Sequence, residues 1–178
     1  MNAADGFATL TRLLTGLFFA FSALGKFRFI EAFRHNLVES FGIKPSHAGP
    51  LSAGLCTFEA LLAATLLLSR PSRLAAMLTA LLALGVFTAL VSWRYYQEGN
   101  LRCHCFGRSS RPLSHWDIAR NLLLLAMIAS YLLFGAEPHP LPFSTQLVLG
   151  ALALVLVQWL VHLHETVEAL FYRQGSSL

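Results

Sequence analysis

Five blocks of mostly apolar residues, each near the length needed to cross a bilayer, constrain this chain more than any other feature. They fall at 7–25, 51–69, 74–93, 118–134 and 143–163. A helix of about 20 mostly apolar residues crosses roughly 30 Å of hydrocarbon. Each block is rich in Leu and Ala with little alternation, a pattern that fits helices and not the strands of a barrel. Only 12% of residues are charged against 56% hydrophobic, too little charge to cover a soluble domain. The expected fold is all-α, a polytopic membrane helix bundle forming one integral-membrane domain over 1–178. No segment outside the spans has enough apolar residues to bury a core of its own.

The first block does not read as a signal peptide. It opens with Asp5 rather than a basic cluster, Arg12 lies inside it, and Phe21-Ser22-Ala23 is a poor small-residue cleavage site. We expect it to be retained as the first span. The net charge of +4 sits mainly at span ends and in short loops. Topology and lipid headgroups account for it, so the bilayer is the expected partner and nucleic acid is not.

Between the spans, Phe27, Phe29, Ile30, Phe33, Leu37 and Phe41 recur at three- and four-residue spacing among charged residues. This spacing predicts an amphipathic helix that lies at the interface or extends the first span. Residues 42–50, with Pro45 and Pro50, read as a connector. Arg70-Pro71-Ser72-Arg73 reads as the tight turn of a helical hairpin. The third span ends in Trp93-Arg94-Tyr95-Tyr96, an aromatic belt. Ser114 and Asp117 have capping-box spacing for the fourth span, with Leu113 and Ile118 placed as its hydrophobic staple. The loop 97–113 is thus anchored by Tyr95 and Tyr96 on one side and Trp116 on the other. Proline-rich 137–142 reads as a rigid connector to the fifth span. His162 and His164, two residues apart, point to different helical faces and do not read as a metal pair.

That anchored loop carries Cys103-His104-Cys105-Phe106-Gly107, with Arg102 and Arg108 on its flanks. A disulfide needs Cα atoms about 4.4–6.8 Å apart, which residues i and i+2 reach in a turn. A bond closing so small a ring would be strained, and strained, exposed disulfides tend to be labile or catalytic. Neighbouring positive charge favours the thiolate, the nucleophile in exchange. Cys103 and Cys105 are therefore the expected catalytic thiols, with His104 beside them. Other readings stay open. The thiols are incidental or fixed in an inert bond, or they bind Cu or Zn together with His104 or Cys56 in a soft-metal membrane carrier, or the chain is a non-catalytic membrane assembly factor.

Two charged residues lie within spans. Glu59 stands three residues after Cys56 on one helical face of the second span. An intramembrane carboxylate is costly and marks a functional site unless it is a structural pair; Lys26 and Arg94 are the candidate partners. Arg120, just inside the fourth span, either snorkels to the headgroups or contacts a thiolate or carboxylate. Cys56 reads as a small core residue, with a ligand role as the alternative.

Several of these landmarks together resemble the methylamine utilisation protein MauE family, within the wider DoxX-like group of small membrane proteins. They are Ala23-Leu24-Gly25-Lys26-Phe27, Phe58-Glu59, Cys103-His104-Cys105-Phe106-Gly107, and Leu113-Ser114 followed by Ile118-Ala119-Arg120-Asn121. The likeness spans roughly residues 8–135, and His104 stands where the family commonly has Gly. The resemblance implies a four-helix core, here with a fifth C-terminal transmembrane helix and the amphipathic segment. It implies an inner-membrane protein that supports maturation of exported disulfide-containing proteins, of which methylamine dehydrogenase is the namesake's case, together with a thioredoxin-like redox partner. Glu59 and Arg120 join the cysteines as candidate catalytic residues. No cofactor follows from the residues themselves. The architecture is also similar to membrane disulfide-forming proteins that pass electrons to quinone, which makes quinone the one cofactor that analogy offers.

Charge and chemistry disagree on orientation. With five spans, three basic residues lie on the N-terminal side and ten on the other, which accounts for all 13. The positive-inside rule then places the cysteine loop in the cytoplasm. A strained disulfide persists only where oxidants maintain it, which places the loop outside. The expectation adopted is the outer face.

Overall fold

The computed structural model of the protein describes residues 3–68, 73–98, 115–134 and 141–162. Among them there are six helices and no strand. They are α1 (Ala3–Arg28), α2 (Ile30–Glu39), α3 (Pro45–Leu68), α4 (Arg73–Glu98), α5 (His115–Phe134) and α6 (Phe143–Val161). All but α2 are long and apolar enough to cross a membrane. The shortest, α6, has 19 residues, about 28 Å at 1.5 Å per residue. Leu61, Leu82, Val86, Leu133, Val148 and Val155 are exposed around the outside. Lipid solvates such a belt and water does not. This is a multi-pass membrane protein built as a helix bundle.

Helix α1 is the hub. It packs against α3, α5 and α6, and 61% of its most apolar stretch is buried, against 17% for α6. Its Leu14, Phe18 and Phe19 meet Leu62 and Leu66 of α3, Met77 and Leu84 of α4, and Leu124 and Ile128 of α5 in one core. Ala153 and Val157 of α6 are wholly buried in that same core. The fifth span is therefore an integral part of the bundle.

The amphipathic stretch divides. Helix α1 runs on to Arg28, and Phe29 leaves the helical region at φ −124°, ψ 45°. Helix α2 then turns its apolar stripe inward. Phe33 and Leu37 pack with Ala48 and Cys56 of α3. Polar Glu31, His35 and Glu39 remain outside. Gly42 stops this element with φ +67°, a left-handed backbone that only glycine adopts cheaply. Gly42 N–H donates to Val38 O and Ile43 N–H to Leu37 O, which satisfies carbonyls at the end of the helix.

The connector is shorter than 42–50. Pro45 opens α3, where a missing N–H costs nothing and the fixed φ suits the helix. Pro50 lies inside α3, where its missing N–H leaves Ser46 O without its ladder donor. Residues 70–72 of the expected hairpin turn, the Ser114 cap, residues 137–140 of the proline-rich connector and His164 lie outside the described residues.

Candidate functional site

Lys26 sits in the last turn of α1 and is only 3% exposed. Its ammonium donates to Ser22 Oγ at 2.8 Å and to Glu59 Oε1 at 2.5 Å. Ser22 is one turn earlier on the same helix, so the α1 backbone sets that contact. Glu59 comes from the middle of α3. Of the two partners expected for it, Lys26 is the one that pairs. The rings of Phe33 and Phe87 lie 5.5 and 5.9 Å from the ammonium and offer it their negative faces. Taken together, a serine, a carboxylate and two aromatic rings replace the water that a buried ammonium would otherwise need.

The carboxylate is less fully served. Glu59 Oε2 is buried and has no hydrogen-bond partner among the described residues. The residue Glu59 also lines a cavity of about 580 Å³ between α1, α2, α3 and α4. Phe18, Phe19, Phe33, Phe41, Phe58 and Phe87 line it, with Ser22, Lys26, Asn36 and Glu59 as its polar groups. A mostly apolar hollow with a few convergent polar groups has the usual character of a small-molecule site.

Cys56 is buried and unbonded to another cysteine. It packs with Phe33, Leu37 and Ala48. Although it shares a helical face with Glu59, it opens on a different hollow, the outer groove between α1 and α3 that Ala23 and Leu24 also line. Among the described residues no three His, Cys, Asp or Glu side chains converge to hold a metal.

Arg120 does not snorkel. It is 5% exposed and turned into the bundle, where its guanidinium lies 5.6 Å from the ring centre of Phe18. Asp117, one turn earlier, is 3.6 Å from it, and Asn121 Oδ1 accepts from its Nε at 3.3 Å. Packing on α1 and a local carboxylate hold it there in place of headgroup contact. Phe18 touches this cluster and also lines the cavity.

Cys103, His104 and Cys105 lie outside the described residues. The helices that carry the two ends of their loop are described. Val91 and Tyr95 of α4 pack with Ile118 of α5, and Phe41 and Phe87 join them. Tyr95 stacks edge-on against Tyr96, and His115 lies against Trp116.

Reading the sequence missed Arg12. Its position inside an apolar span suggested only a poor signal peptide. In the fold it is 5% exposed, and Nη1 donates to Leu66 O at 2.6 Å and Leu67 O at 3.5 Å, two carbonyls in the last turn of α3. Carbonyls near a helix C-terminus take donors from outside the ladder, and a cation there also complements the helix dipole. The only signal was a lone arginine in a span, which by default has a partner.

A family model described as methylamine utilisation protein MauE matches residues 4–135, from the first turn of α1 to the end of α5. No curated protein and no solved structure matches the chain. The match spans every helix of the cavity and both helices that carry the cysteine loop, and by it the chain belongs to the MauE family.

Proposed function

We propose that this protein is a thiol–disulfide redox component of the bacterial inner membrane that supports maturation of exported disulfide-containing proteins. Cys103 and Cys105 are its exchanging thiols, and a thioredoxin-like protein and an exported client are its partners. The observation that carries this reading is the Cys-His-Cys pair in a basic loop, Arg102 to Arg108, joining two packed membrane helices. Basic flanks favour the thiolate, and a thiolate attacks a partner's disulfide through a mixed disulfide. MauE family membership supports the same reading and associates the chain with methylamine utilisation.

Orientation decides the direction of exchange, and the loop is proposed to face outward. Lys26 and Arg120 are buried beside Glu59 and Asp117, so they serve the bundle and weigh little in a headgroup count. On the opposite side the same holds for Arg12. The remaining basic residues still favour a cytoplasmic loop, and chemistry is the ground for the outward choice.

One experiment tests both points. A membrane-impermeant thiol reagent is applied to intact cells after mild reduction. Cys103 and Cys105 should label without permeabilisation, and Cys56 should stay protected. In parallel, a Cys103→Ser, Cys105→Ser chain should reach the membrane at normal levels and lose function completely. Full function in that variant rejects the thiol role. Labelling only after permeabilisation inverts the topology and turns the proposed oxidant into a reductant.

A further inference from the structure

We propose that the groove along the first half of α3 is a binding site for one anionic phospholipid, its phosphate held at Lys44 and His47 and an acyl chain laid along Leu51, Gly54, Leu55 and Phe58.

The groove begins in the connector after α2. Gly42, Ile43 and Lys44 line its near end, and Ser46, His47 and Pro50 carry it onto α3. Leu51, Gly54, Leu55 and Phe58 line the rest, and its volume is about 830 Å³. His47, Leu51, Gly54 and Phe58 recur at three- and four-residue spacing and are all exposed, so they form one outward stripe of α3. Gly54 hollows that stripe. It has no side chain, and nothing lies within 4 Å of the place a Cβ would take. A lipid-facing helix without such a gap presents a ridge there.

Polarity divides along the length of the groove. Its polar side chains, Lys44, Ser46 and His47, all stand at one end, and from Pro50 onward every lining residue is apolar. From His47 to Phe58 the helix rises about 16 Å at 1.5 Å per residue. One leaflet is about 15 Å, half of the roughly 30 Å hydrocarbon core. The polar end thus lies at headgroup level and the apolar part reaches the bilayer middle. A phospholipid has this same division over this same depth. A water-soluble ligand would not enter the apolar half, which belongs to a membrane span.

Charge selects the head. Lys44 is exposed at the mouth, and no carboxylate is among the described residues that line the groove. Ser46 Oγ and His47 Nδ1 are hydrogen-bonded at 2.8 Å. Where the serine hydroxyl donates, the ring proton stays on Nε2, which then donates to an anion. Arg94 of α4 adds to the positive field, with Nη2 3.9 Å from where a Cβ at Gly42 would stand. Phosphate oxygens accept charge-assisted hydrogen bonds from such a mouth. A choline head would bring its own cation to these cations and lose part of that attraction.

The test uses the full-length protein in non-ionic detergent, titrated with phosphatidylglycerol and with phosphatidylcholine of the same acyl chains. Bound lipid is counted by native mass spectrometry. One phosphatidylglycerol per chain should be retained, at least about tenfold more tightly than phosphatidylcholine. Lys44→Gln combined with His47→Gln should bring phosphatidylglycerol down to the level of phosphatidylcholine. Gly54→Phe fills the groove at a point where nothing clashes, and it should abolish retention of both lipids. All three positions are exposed, and circular dichroism checks that helicity is kept. The comparison of the two lipids on the unchanged chain needs no variant at all. Equal retention of the two lipids overturns the proposal, and so does a chain that retains neither. Phosphatidylglycerol retention that survives the Lys44, His47 change also overturns it. Retention that survives Gly54→Phe and is displaced by glycerol phosphate would mark a site for free phosphate, and the lipid assignment would fall. No thiol takes part, so a Cys103→Ser, Cys105→Ser chain should retain phosphatidylglycerol unchanged. The fate of this site is thereby read separately from that of the redox loop.

Discussion

Helix α1 carries a buried cation toward each end, and the two are used differently. Arg12 reaches across to α3 and is spent on backbone carbonyls of its last turn. The packing beside it is close. A Cβ added at Gly16 would lie 2.9 Å from the Leu67 side chain and 3.2 Å from Leu66 Cβ. Lys26 also reaches α3, but it meets the carboxylate of Glu59, a residue that lines a cavity. The Arg12 end is a closed joint that fixes α1 against α3. The Lys26 end is polar, hollow and open to lipid. What surrounds a buried charge decides whether it closes a joint or borders a cavity, and here the packing of one helix pair supplies both outcomes.

The sharpest way to break this comparison is to remove one member of the Lys26–Glu59 pair. Lys26→Met leaves a buried carboxylate uncompensated and should cost about 3–5 kcal/mol. Adding Glu59→Leu should restore most of that loss, because two apolar residues replace a pair whose desolvation nearly cancels its attraction. Unfolding in mixed micelles measures both variants. A double variant no more stable than the single one would mean that the two charges are not coupled. Arg12→Met should cost less, about 1–3 kcal/mol, since it frees carbonyls in place of a charge. It should also raise hydrogen exchange selectively in the last turn of α3. Uniform exchange along α3 would refute its capping role.

The smallest effect sharpens the contrast in packing. Gly16→Ala should destabilise by about 1 kcal/mol through overpacking against Leu66 and Leu67. Gly54→Ala, where nothing lies within 4 Å, should instead stabilise α3 by roughly 0.5–1 kcal/mol by lowering the entropy of the unfolded chain. Equal shifts at the two glycines would show that the α1–α3 joint is looser than its geometry.

The spans were legible because a bilayer imposes a local rule. A spanning helix must satisfy its own backbone and present apolar side chains over a fixed length, and both can be counted along the chain. The Lys26–Glu59 pair was half legible. Glu59 in a span requires a partner, yet Arg94 met the same requirement as Lys26 until the helices were packed. Arg120 was left open between the headgroups and a carboxylate contact, because its place near a span end says nothing about which face α1 covers; the contact it makes is with Asp117. The two prolines of 42–50 looked like loop residues, although Pro45 suits a helix start and packing carries α3 through Pro50.

By itself the sequence determined that this is a helical membrane protein, how many times it is able to cross, and which family it belongs to. Those properties follow from apolar length and from short motifs read in order. Only the tertiary structure decided that α1 is the hub and that α6 shares its core. It alone turned Arg12 into a cap for a helix 54 residues away and gave Glu59 one oxygen paired with Lys26 and one without a partner among the described residues. These depend on which faces meet across long sequence separations. Side chains rich in Leu and Ala look alike in sequence whether they face lipid, a neighbouring helix or a cavity, and only close packing tells the three apart.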